Sequence, residues 1–337
     1  MSLVVGGRHP YTTGQHYTEV VTDDRVCVLG GGGVENAGGS AGYVDGYVIM
    51  CGGRTMLGPV SSCIKYDLER EIWSQHSSLT MPRERAAMAV LGSQVFIMGG
   101  EGLTSVEVLG SVLETVWLPG PELPFILSRS CAVSTGSAII LAGGYTNMSS
   151  TSMVMSLTRE QGWTRLQSMK EARREHACLY VEMEGRKGML VTGGVGQDED
   201  VLSSGEFYDV SSGEWSMVSS LVVPRKEHVM SLVHDVPTAI GKNCNYYDAG
   251  SELVCTGGVS DDQFLSSMEV FTMIEKSAGR VLDREWRLSN KVLAVQRFQH
   301  AVAGVPSSKV RMINLFDKFC QAQPKPQVPA QARLSWL

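Results

Sequence analysis

Three histidines stand three positions after an arginine: His176 after Arg173, His228 after Arg225 and His300 after Arg297. Imidazole can carry a proton or hold a metal near neutral pH. Here the repetition of its place points to a structural task, an imidazole bonding nearby loop backbone. The alternative is an ion or ligand held where the three converge. The other histidines, His9, His16, His76 and His234, share no such place. Catalysis would call for a nucleophile with its base, paired carboxylates or clustered metal ligands. No such constellation can be read, and no catalytic residue, metal site or cofactor is expected. Cys27, Cys51, Cys63, Cys131, Cys178, Cys244, Cys255 and Cys320 are scattered without the paired Cys-x-x-Cys spacing of a zinc site and read mainly as buried thiols. Gly30 to Gly33 lacks the Lys-Ser/Thr that completes a phosphate loop, and no helical pattern follows it.

The elements that would position these side chains are repeats. A Gly-Gly pair follows a short apolar run six times, at Gly6-Gly7, Gly52-Gly53, Gly99-Gly100, Gly143-Gly144, Gly193-Gly194 and Gly257-Gly258. The first glycines are 46, 47, 44, 50 and 64 positions apart. Trp73, Trp117, Trp163, Trp215 and Trp286 follow in phase, 17 to 28 positions after the second glycine. Between glycines and tryptophan lies a strand-like segment, for example Ile64-Lys65-Tyr66-Asp67 or Glu206-Phe207-Tyr208-Asp209. After the tryptophan a turn leads to a further short run, such as Arg173-Arg174-Glu175-His176-Ala177. Each period reads as one twisted antiparallel sheet whose second strand is apolar because neighbouring sheets cover both of its faces. Tryptophan supplies apolar area between sheets and can give its N–H to a backbone carbonyl. One such sheet cannot bury both faces alone, so several must stack.

Double glycine, tyrosine-bearing strand, tryptophan and an Arg-x-x-His strand start together resemble the kelch repeat, across about residues 3–305. The resemblance implies an all-β fold, a six-bladed kelch β-propeller closed by pairing of the N-terminal and C-terminal strands in one blade. Residues 1–315 would form the propeller and 316–337 a mobile tail, with residues 237–251 projecting as a loop. Laying the repeats over one another by their glycines puts Gly38, Arg85, Arg129, Glu175, Glu227 and Gln299 at one place around the mouth of the ring. In kelch adaptors that recruit substrates to cullin ubiquitin ligases, arginines at this place bind acidic peptide motifs. By resemblance, Arg85 and Arg129 are the candidates for anion contacts, since guanidinium offers a bidentate fork. The loops after the glycines add Arg8, Arg54, Glu101 and Tyr145 to the same face. Glu175 and Glu227 make part of the mouth negative, so a partner of mixed charge is expected.

The function expected is a non-catalytic interaction module, a scaffold or adaptor that binds a protein or peptide through loops on one face. A substrate receptor of a cullin ligase is one form of it, of which this chain would be the propeller fragment. Two alternatives remain: a sugar-binding or sialic-acid-mutarotase-like kelch enzyme, and a secreted structural kelch protein. Cys51 and Cys63 flank a hairpin on neighbouring strands, where a cross-strand disulfide is sterically allowed, and Asn147-Met148-Ser149 is a glycosylation sequon; both would suit secretion. Otherwise the first residues hold no signal peptide and a cytoplasmic home is expected. A formal charge of −6 over 337 residues argues against nucleic acid, which needs a concentrated basic surface. No apolar run is long enough for membrane insertion. The propeller itself is expected to be monomeric.

Overall fold

A computed structural model describes residues 38–70, 72–146, 148–183 and 185–230. Beyond these it describes the strands or short segments 2–5, 16–21, 26–31, 231–233, 251–256, 259–260, 263–264, 267–273, 286–292 and 301–304. Arg8, Gln299, His300, Gly6, Gly7, Gly257, Gly258, Asn147, residues 237–250 and the tail 316–337 lie outside the described residues. The described residues hold strands and turns and no helix. They form six four-stranded antiparallel sheets and two small two-stranded ones, the arrangement of a β-propeller.

In chain order the second sheet comprises Ser40–Val44, Tyr47–Cys51, Cys63–Asp67 and Ile72–His76. The third comprises Ala87–Leu91, Gln94–Met98, Val106–Leu109 and Leu118–Pro119. The fourth holds Cys131–Ser134, Ile139–Ala142, Val154–Thr158 and Gly162–Arg165. The fifth holds Ala177–Met183, Arg186–Thr192, Gly205–Asp209 and Glu214–Val218. Val229–Val233, Ser251–Thr256, Ser267–Met273 and Trp286–Val292 make the sixth. In the first sheet, Ser2–Val5, His16–Val21 and Val26–Gly31 are joined by Ala301–Gly304. First strands of successive sheets lie side by side from the second sheet to the sixth.

The apolar second strands explain the stacking. Each core lies between two sheets rather than within one. Ile49 and Cys51 of the second sheet, with Leu79 of the loop after it, meet Ile97 and Leu109 of the third and Trp117 just before its last strand. The same holds between the third and fourth sheets, the fourth and fifth, and the fifth and sixth. Tryptophan stitches the layers as its chemistry suggests. Trp117 donates its indole N–H to the Ser77 carbonyl, Trp163 to Pro121 and Trp215 to Gln167, at 3.1, 2.8 and 2.9 Å.

The double glycine is needed where the second strand ends against the next crossing loop. Gly193 has φ +60°, and a Cβ there would sit 2.3 Å from the Arg225 carbonyl oxygen. Gly194 uses the same closeness, donating its N–H to that oxygen at 2.9 Å. Only glycine satisfies both demands without strain.

A second repeated device is buried charge. The side chains of Arg83, Arg173 and Arg225 are fully buried and pair with buried Glu107, Glu206 and Glu269 at 2.6, 3.0 and 2.6 Å. Each carboxylate also accepts two backbone N–H groups: Thr80 and Met81, Lys170 and Glu171, Val222 and Val223. Burial pushes the Glu107 carboxyl up, but these bonds and the Arg83 guanidinium outweigh it and hold its pKa below the usual range. The fourth sheet differs. Leu127 stands in the arginine's place and Met155 in the glutamate's, and both are buried in the apolar core.

Candidate functional site at the mouth

The crossing loops deliver one residue per sheet to a common ring. Gly38, Arg85, Arg129, Glu175 and Glu227 have φ of 70°, 55°, 55°, 56° and 54°. The N–H of each donates to the carbonyl of the one before: Arg85 to Gly38, Arg129 to Arg85, Glu175 to Arg129, Glu227 to Glu175, at 2.8 to 3.0 Å. Left-handed backbone is free for glycine and costs an L-residue roughly 1–2 kcal/mol. Gly38 takes the inexpensive solution. Four sheets instead hold a long charged side chain there.

Those side chains converge on a cavity of about 130 Å³. Arg129 donates to Glu101 at 2.8 Å and to Glu175 at 2.7 Å. Arg85 faces Glu101, Glu175 and Glu227 at 3.6, 3.7 and 3.6 Å. Although burial alone would lower it, the pairing with Glu101 and Glu175 raises the Arg129 pKa further above its ordinary value. Tyr145 lies under the guanidiniums of Arg129 and Arg174, 5.5 and 5.2 Å from its ring centre, within cation–π range. The structure thus brings together Arg85, Arg129, Glu101, Tyr145, Glu175 and Glu227. The arginines do not stand open: each is already among carboxylates. Arg54 is drawn to Glu84 instead, at 2.6 Å, and anchors a two-stranded hairpin whose tip exposes Met56 and Leu57. Arg8 and Gln299 are outside the described residues.

Reading the sequence missed Arg174 and Glu199, which pair at 2.5 Å on the rim, and Ser150, which accepts from Arg174 and donates to the carbonyls of Val195 and Gly196. These contacts join a loop after one double glycine to the next crossing loop, and no fixed spacing announces them. The buried pairs had a signal: a lone glutamate second in an apolar third-strand segment, in phase with an arginine before the first strand of the same sheet.

The repeated histidines sit behind the ring. The His176 ring packs against Gly143, and His228 meets the Thr192 hydroxyl at 3.1 Å. Burial, aided by the charge of Arg173, drops the His176 pKa to about 3, so the ring is neutral. Among the described residues no cluster of His, Cys, Asp and Glu could hold a metal ion. Two disulfides lie nearby. Cys51 and Cys63 are directly opposite in register and are bridged. Cys131 and Cys178, far apart in sequence, are bridged between the first strands of the fourth and fifth sheets. The second pair departs from the reading of these thiols as merely buried, because only the stacking of first strands brings them together.

Searched against family models, the chain matches none. Among curated proteins it is 27% identical over 199 residues to "Kelch repeat and BTB domain-containing protein A55" of vaccinia virus (strain Western Reserve), covering 56% of this chain and 34% of that protein. It is 26% identical over 160 residues to "Kelch-like protein 41a" of Danio rerio, covering 45% of this chain and 26% of that protein. Its likeness is to kelch-repeat proteins. The ectromelia virus "Kelch repeat and BTB domain-containing protein 1" is 25% identical over 193 residues, 54% of this chain and 33% of that protein. The chain thus spans about a third of the length of these poxvirus relatives. Its in-phase glycines, tryptophans and crossing loops are the features by which the repeat was read.

Proposed function

We propose that this chain is a six-bladed propeller closed by its N- and C-terminal strands, and that it binds a protein partner at the mouth without catalysing a reaction. Support for the ring comes from Ala301–Gly304, which pairs with Ser2–Val5 and lies beside both Ser40–Val44 and Val229–Val233. The observation that carries the function is the set of charged residues in left-handed backbone. Arg85, Arg129, Glu175 and Glu227 occupy positions where glycine would relieve strain, and local strain kept at one place in successive repeats marks a working surface. Loops on such a frame can vary without disturbing the core. The relatives' names join kelch repeats to a BTB domain, which suits an adaptor whose kelch part selects what is bound, including substrate selection for a cullin ubiquitin ligase.

The test is affinity capture from lysate with the native chain and an Arg85→Glu, Arg129→Glu variant matched in thermal stability. A partner held by the first and lost by the second is expected. A partner retained equally by both would remove the mouth from the reading.

A further inference from the structure

The two disulfides are unlike in setting. Cys51–Cys63 lies within one sheet, and both of its cysteines are fully buried. Cys131–Cys178 joins two sheets, and both of its cysteines are part-exposed. Cys131 opens the first strand of the fourth sheet and Cys178 is second in the first strand of the fifth. These strands lie side by side, yet each is the outermost member of its own sheet. The bridge is thus a covalent tie between two units that otherwise meet by packing and loop contacts. Exchange requires a thiolate to reach a sulfur, so exposure separates a labile bridge from an inert one.

A second observation is what stands beside this bridge. Arg129 lies two positions before Cys131, and Glu175 three before Cys178. The Glu175 N–H donates to the Arg129 carbonyl at 3.0 Å, and the Arg129 guanidinium donates to the Glu175 carboxylate at 2.7 Å. Bridge and ion pair therefore clamp the same two strand starts. At the junctions on either side the backbone bond recurs, but the equivalent pairs of residues are Ala87 with Ala132 and Ala177 with Met230. The cysteines stand at the junction that also holds the shortest ion pair of the ring.

We infer that Cys131–Cys178 is a thiol–disulfide exchange site, opened in the folded chain by a small thiol such as glutathione, and that its state sets how firmly Arg129 and Glu175 are held at the mouth. The thiolate attacks one sulfur; the S–S bond breaks as the new one forms, and the other sulfur leaves as a thiolate and takes a proton. A second thiol attacks the mixed disulfide in the same way. Two small thiols are oxidised to one disulfide while the bridge is reduced to two cysteine thiols. Val133, Ala142, Met189 and Val191 keep the core between these sheets closed, so opening frees the strand starts and leaves the fold. The exchange site stands by itself; its bearing on binding rests on the mouth being the binding surface.

The test equilibrates the native chain in mixtures of reduced and oxidised glutathione near neutral pH, quenches with acid, labels the thiols and maps the peptides. Cys131 and Cys178 are expected as thiols, with a glutathione adduct on one of them as the intermediate. Under the same conditions Cys51–Cys63 stays joined and buried Cys255 stays unlabelled, which shows that the chain is folded. Opening of both bridges together, or of Cys131–Cys178 only when Cys255 becomes reactive, would overturn the exchange site. Hydrogen exchange read at single residues tests the link to the mouth. Reduction, and separately a Cys131→Ser, Cys178→Ser variant, should speed exchange of the Glu175 amide by about five-fold or more, while the Arg85 amide, bonded to Gly38, keeps its rate. If the variant folds poorly, the reduced native chain carries this arm. An unchanged Glu175 amide would overturn the link. Neither arm uses a partner, so failure here leaves binding at the mouth to the capture experiment.

Discussion

Replacing Arg173 by leucine should destabilise the chain by about 3–5 kcal/mol, because it leaves Glu206 as a buried charge without its cation. Arg173 and Glu206 are both fully buried and lie 3.0 Å apart. At an effective dielectric constant of about 20 their attraction is about 5–6 kcal/mol, of the same order as the several kcal/mol each ion loses on leaving water. The pair therefore nearly breaks even as a pair, yet either half alone is costly. Glu206→Met should cost a similar amount. The fourth sheet shows the escape: Leu127 and Met155 replace both partners at once. It also shows a third change. The residue equivalent to Lys170 there is Pro124, which has no N–H to lose, whereas Lys170 and Glu171 donate theirs to Glu206 at 2.7 and 3.0 Å. The Arg173→Leu, Glu206→Met double variant should thus lose only about 3 kcal/mol, roughly 1 for each of the two partly buried N–H groups and 1 for the buried Gly193 carbonyl left without the Arg173 donor. Urea unfolding of the native chain, both single variants and the double completes the cycle. The expected coupling is several kcal/mol. Costs that add within about 0.5 kcal/mol would refute the reasoning, since independent sites behave that way.

Stability should also depend on His176. Its folded pKa of about 3 lies below the unfolded value of 6.5, so its contribution is complete above about pH 6.5 and is lost as pH falls from there towards 3. The steepest loss is about 1.4 kcal/mol per pH unit; His176→Gln should flatten the native profile between pH 6.5 and 4.5, and parallel profiles would count against this. Gly193→Ala should cost more than about 2 kcal/mol, combining left-handed strain with a Cβ 2.3 Å from a carbonyl, whereas Gly213→Ala, with its nearest atom at 3.7 Å, should cost about 1 kcal/mol. Equal shifts in the urea midpoint would refute the close-approach argument. Peptide mapping without reductant should recover Cys131 joined to Cys178. Cys255, buried with its thiol pKa pushed up to about 12, should resist iodoacetamide in the native state and react after unfolding.

The all-β fold was legible because its signal repeats. A Gly-Gly pair says little alone, but six in phase with tryptophans leave few architectures able to bury both faces of each sheet. The ring position was legible for the same reason: Arg85, Arg129, Glu175 and Glu227 share one place in the repeat, and they share one backbone conformation. What phase cannot give is the direction of a side chain across the ring. Arg85 and Arg129 read as open cations in sequence, yet Glu101, some way along the chain from either, closes on both. The Cys131–Cys178 bridge was hidden likewise, since one cysteine starts its strand and the other sits one position further along. The Arg–Glu pairs were legible in principle, because arginine and glutamate disappear together at Leu127 and Met155.

The hydrogen-bonded girdle of left-handed residues has a consequence for how such a mouth can diverge. Its backbone is held from both neighbours, so exchanging one side chain leaves the adjoining positions in place. Yet a φ near +55° excludes valine, isoleucine and threonine, whose branched Cβ is a marked outlier there, and admits glycine, asparagine, aspartate and unbranched side chains at modest cost. Side-chain variation at these positions is therefore written in a short alphabet, with charge and length as the variables and shape close to the backbone held constant.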